Sequence, residues 1–121
     1  MTEREQEIQV SLYADKMLRQ ALDRIDNNKL IAEFMKLEST PKYNPKEYYV
    51  KEHNSGEWYL PQEMQYETYW DWLLPVVKSC REKQFFGSQH LIDNIVDAVA
   101  NLDIDGTYKA VIEFIKEYNN N

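Results

Sequence analysis

Three features of the sequence predict a mainly α-helical single domain, residues 1–121, with about five helices and one small β-hairpin at roughly residues 48–60. Long stretches free of Gly and Pro carry apolar residues at helical spacing, three of the four prolines collect in one central segment, and 121 residues is a common size for one domain. Hydrophobic residues make up 43% of the chain and aromatics 13%, enough apolar surface to offset chain entropy despite a mean hydropathy of -0.71.

The first element is a long amphipathic helix over residues 3–25, where Ile8, Leu12, Leu18, Leu22 and Ile25 recur at helical spacing and Val10, Tyr13, Met17 and Ala21 widen the stripe. Asp26-Asn27-Asn28 is expected to interrupt it and to cap a second, short helix over residues 29–38, with Leu30, Ile31, Phe34 and Met35 on one face. Ser39-Thr40-Pro41 ends that helix. Residues 41–65 read as loop and turn, within which Tyr48-Tyr49-Val50-Lys51 and Glu57-Trp58-Tyr59-Leu60 are β-prone runs joined by Glu52-His53-Asn54-Ser55-Gly56.

Thr68 followed by Asp71 resembles a capping box and places the start of a third helix, which runs to about Lys83 with Trp70, Leu73, Leu74 and Val77 on its apolar face. Pro75 lies inside it and is expected to kink it, because the ring removes an amide donor and crowds the preceding turn. Gly87-Ser88 leads into a fourth helix over residues 89–101, with Leu91, Ile92, Ile95, Val99 and Leu102 at helical spacing. The fifth, residues 107–118, carries Tyr108, Val111, Ile112 and Ile115 on one face, and Asn119-Asn120-Asn121 is expected to fray.

The net charge of -7 is unevenly spread. Residues 1–51 hold nine acids and nine bases, whereas residues 52–121 hold twelve acids and five bases. No Lys or Arg occurs between Lys51 and Lys78, a stretch containing Glu52, Glu57, Glu63, Glu67 and Asp71. Such a surface repels phosphate, which argues against direct binding of nucleic acid. No apolar run approaches the roughly 18 residues of a membrane span, and the charged start of the chain is not a signal peptide, so the expected location is the cytoplasm. The lone Cys80 stands in an apolar helical run and reads as a small core residue.

Three islands, Asn28 to Met35, Trp70 to Val77 and Ala110 to Asn119, together resemble short uncharacterised proteins carried by phages and mobile elements of Bacteroidota. Trp70-Asp71-Trp72-Leu73-Leu74-Pro75-Val76-Val77 is the most specific of the three. Those relatives begin near the first island, whereas this chain adds the long helix before it. The resemblance implies a habitat and no known activity.

Among sites with chemistry, Asn101, Asp103, Asp105 and Gly106 fit positions 1, 3, 5 and 6 of an EF-hand loop, but position 12 is Ile112 where a bidentate Glu is needed. The competing reading is an interhelical turn in which Asp103 or Asp105 caps the last helix. His90, Asp93 and Asp97 share one helical face and are expected to form a plain polar surface, and His53 beside Glu52 lacks companions for a triad. Phosphate-loop, nucleophile-elbow, zincin and Cys-x-x-Cys motifs are all missing, so no catalytic residues and no cofactor are expected.

Trp58, Tyr59, Tyr66, Tyr69, Trp70 and Trp72 crowd into 15 residues interleaved with acids. Trp70 is expected in the core, while Tyr69 and Trp72 lie together off its stripe. Aromatic anchors among carboxylates suit a basic protein surface, so the expected partner-binding residues are Glu57, Trp58, Glu63, Glu67, Tyr69, Asp71 and Trp72. The expected function is that of a non-enzymatic, acidic interaction module of phage or mobile-element origin, an anti-defence candidate acting on a host nucleic-acid-binding or defence protein. The alternative is a calcium-binding regulator using the Asn101–Gly106 loop.

Overall fold

A computed structural model describes residues 2–37, 39–40, 49–51 and 56–121. It is mainly α-helical. Its elements are α1 (Glu3–Phe34), β1 (Ser39–Thr40), β2 (Tyr49–Lys51), β3 (Trp58–Tyr59), a 3-10 turn at Pro61–Glu63, α2 (Trp70–Glu82), α3 (Gln89–Ala100) and α4 (Ile104–Asn119). The described residues thus contain four α-helices where the sequence suggests five, because the first two merge.

The merger is settled by Asn28. Asn costs only a few tenths of a kcal/mol more than Ala in a helix interior, up to about 0.7. Here its side chain is fully buried and fully used: Nδ2 donates to the carbonyls of Pro61 (2.7 Å) and Met64 (3.2 Å), and Oδ1 accepts from the Tyr108 hydroxyl (2.9 Å). Three buried hydrogen bonds outweigh the local preference for a cap. Burial, reinforced by the nearby Glu67 carboxylate, keeps the Tyr108 phenol protonated far above its ordinary range.

At its start α1 carries a capping box, Thr2 accepting from the Glu5 amide while the Glu5 carboxylate accepts from the Thr2 amide. At its end the Leu37 amide donates to the Ala32 carbonyl (3.0 Å) and the Lys36 amide to Glu33 (3.1 Å), with Lys36 left-handed at φ 54. This is a Schellman closure built without glycine. The last turn has no basic residue of its own. Lys83, just past α2, supplies the missing cation: its Nζ donates to the Phe34 carbonyl at 2.9 Å and lies 4.3 Å from the centre of the Phe34 ring.

The expected hairpin is present as β2 paired antiparallel with β3, Val50 opposite Tyr59 and Lys51 opposite Trp58. Its turn, with Glu52 and His53, and Tyr48 lie outside the described residues. β1 adds a strand the sequence did not announce, also antiparallel, with Ser39 opposite Val50.

The core joins the end of α1 to α2, α3 and α4 around Ile31, Leu73, Val76, Ile95, Val111, Phe114 and Ile115. α2 starts at Trp70 with Tyr69 as its N-cap residue; Thr68 instead directs its hydroxyl toward the Gln65 carbonyl, so the expected Thr68 cap is corrected. α2 runs to Glu82 as one element with Pro75 in its second turn. Its buried face is Leu73, Val76, Val77 and Cys80, which leaves Leu74 exposed, against expectation. Cys80 is fully buried, and desolvation pushes its thiol up to about 12.

Candidate partner-binding face

The acidic, aromatic segment is built on a ring cluster beneath the hairpin. In an extended strand neighbouring side chains alternate, and Tyr59 turns inward while Trp58 stays exposed. The Tyr59 and Tyr66 rings meet Trp72 edge-on at 5.2 and 5.4 Å. Trp72 is therefore a half-buried hub rather than a free anchor. Trp70 also packs half-buried against the core.

The seven expected partner-binding residues divide accordingly. Trp58 is 45% exposed and Tyr69, outside the first turn of α2, is 57% exposed. Glu57 is exposed and accepts from the Tyr59 hydroxyl at 2.9 Å. Asp71 is exposed in the first turn of α2, where a carboxylate complements the helix dipole. Glu63 is exposed, but its carboxylate accepts from the Leu60 amide at 3.1 Å and closes the 3-10 turn. Glu67 is half-buried in an ion pair with Arg24, which ties this segment to α1. Glu67 and Trp72 hold the face together instead of presenting it.

The motif at residues 101–106 is structural. Only Asn101, Leu102 and Asp103 separate α3 from α4, so the twelve-residue loop of an EF-hand is not formed, and Ile112 is buried in the core. Asn101 Nδ2 donates to the Asp97 carbonyl (2.9 Å), Asp105 pairs with Lys109 (2.9 Å) and raises its pKa, and Asp103 accepts from the Gly106 amide (2.9 Å). Asp103 has two tasks. Its amide donates to the Ala98 carbonyl (3.0 Å) to close α3, with Leu102 left-handed at φ 56, and its carboxylate caps α4. Gly106 makes room for that cap, since a Cβ there would stand 2.3 Å from Asp103 Oδ2.

His90, Asp93 and Asp97 are exposed, with Asp93 accepting from Gln89 (2.9 Å) and the His90 ring contacting the Gly87 carbonyl (3.1 Å). Among the described residues no group of three or more His, Cys, Asp or Glu is arranged to hold a metal ion, and no helix is long and apolar enough to cross a membrane.

Sequence reasoning missed the exposure of the first part of α1. Every described side chain from Glu3 to Arg24 is exposed, including Val10 (68%), Leu12, Tyr13, Met17, Leu18 (60%) and Leu22. Along a helix these residues spread over about 260° of the circumference, so periodicity did not single out one face and carried no signal of what covers them. Leu74 and Phe86 are further exposed apolar side chains.

No protein-family model, curated protein or solved structure matches the chain.

Proposed function

We propose that this protein is a non-enzymatic interaction module of phage or mobile-element origin that holds a basic surface of a partner protein against Trp58, Tyr69, Glu57 and Asp71. The observation that carries the reading is the pair of exposed aromatics, Trp58 and Tyr69, in a stretch with carboxylates and no base between Lys51 and Lys78. Aromatic anchors supply most of the energy at protein interfaces, and carboxylates steer a Lys- or Arg-rich surface toward them. In the setting that the three islands suggest, the partner is a host nucleic-acid-binding or defence protein, whose own groove is basic.

The test is affinity capture from a host lysate across a salt series, comparing the native protein with Glu57→Lys/Asp71→Lys and with Trp58→Ala/Tyr69→Ala. These four side chains are chosen over Glu63 and Glu67, whose reversal would disturb the 3-10 turn and the Arg24 ion pair. Capture that weakens with salt and is lost in both variants supports the reading. Unchanged capture by either variant rejects this face.

A further inference from the structure

We propose that the face carrying Glu57, Trp58, Tyr69 and Asp71 selects arginine over lysine in its partner protein, with Tyr69 the stronger of two stacking anchors. This inference rests on the reading proposed above and narrows its partner chemistry. Three carboxylates of the stretch are committed within the chain: Glu57 accepts from the Tyr59 hydroxyl (2.9 Å), Glu63 accepts from the Leu60 amide (3.1 Å), and Glu67 is paired with Arg24. What the face offers a cation is therefore chiefly ring surface, with Trp58 and Tyr69 both well exposed. A lysine ammonium is a compact, strongly hydrated charge that gains most from a carboxylate with open oxygens. A guanidinium is planar and more weakly hydrated, and it can lie flat on an aromatic ring while its edge reaches a carboxylate.

The two rings are not equivalent. Lys51 stands directly opposite Trp58 in the β2–β3 pair, and opposed residues share one face of a sheet, so a partner cation at Trp58 meets a like charge. Tyr69 precedes α2 and stands two residues from both Glu67 and Asp71. Arg24 offsets the charge of Glu67, which leaves Asp71 to draw a cation toward the Tyr69 ring.

The test titrates the full chain into labelled deca-arginine and deca-lysine peptides, equal in length and charge, and follows binding by fluorescence anisotropy. The arginine peptide should bind the native protein about fivefold more tightly, the worth of one exposed cation–π contact. Tyr69→Ala should remove most of that difference and Trp58→Ala less of it, while Tyr69→Phe, which keeps the ring, should preserve it. Both side chains are exposed and lie outside the core around Leu73, so the variants stay folded. Equal affinity for the two peptides, lost in Glu57→Lys/Asp71→Lys, overturns the inference alone, as does an arginine preference that survives Trp58→Ala/Tyr69→Ala. A larger loss from Trp58→Ala than from Tyr69→Ala overturns the ranking of the anchors. Binding of neither peptide by the native protein overturns the inference together with the face on which it rests.

Discussion

The two parts of α1 follow the same helical pitch in opposite circumstances. From Asn28 to Phe34 the helix is held by Asn28, by the core around Ile31 and by Lys83 at its last carbonyls. From Glu3 to Arg24 its described side chains are exposed, and the tie to the body comes at the very end, through Arg24 and Glu67. Apolar periodicity therefore specifies a helix in both parts and a buried helix in only one. The exposed part retains apolar residues, Val10 and Leu18 among them, that the other described residues do not cover.

The comparison is sharpest when one apolar residue is removed from each part. Ile31→Ala empties a fully buried position and should cost about 3 kcal/mol, whereas Leu18→Ala, measured by urea unfolding, should change stability by under about 0.5 kcal/mol. Equal losses would mean that residues 3–24 pack on the body. Asn28→Ala comes next, at about 2–3 kcal/mol, since it strands the Tyr108 hydroxyl and two carbonyls in a dry interior. A loss below about 0.5 kcal/mol would remove Asn28 as the reason for the merged helix.

Lys83→Met should cost about 1–2 kcal/mol by the same melts, through loss of a charged hydrogen bond at the end of α1. The smallest effects belong to the short connection between α3 and α4. Asp103→Ala should cost about 1 kcal/mol, and Gly106→Ala should fail to deliver the gain of about 1 kcal/mol usual for that change inside a helix, because its Cβ displaces the Asp103 cap. A stabilised Gly106→Ala protein would show that the cap is dispensable.

These residues also show what was legible in the sequence. Helical spacing and the punctuation at Gly87 and Asp103 were enough to place α2, α3 and α4 within a few residues. Asp-x-Asp-Gly was visible too, and its role as a cap was one of two local readings. Asn28 was misread because its partners lie 33, 36 and 80 residues away, and no local rule reports a hydrogen bond across that separation. The aromatic crowding was legible, but which ring is covered depends on Tyr59 and Tyr66 closing on Trp72, a tertiary event. The exposure of Leu18 and Leu74 was hidden for the same reason: a period names the residues that share a face and does not name the neighbour.

Amide hydrogen exchange along α1 tests the central contrast most directly. Amides at residues 28–34 should be protected, and those at residues 6–24 should exchange far more rapidly. Residues 6–24 protected as strongly as residues 28–34 would contradict the account.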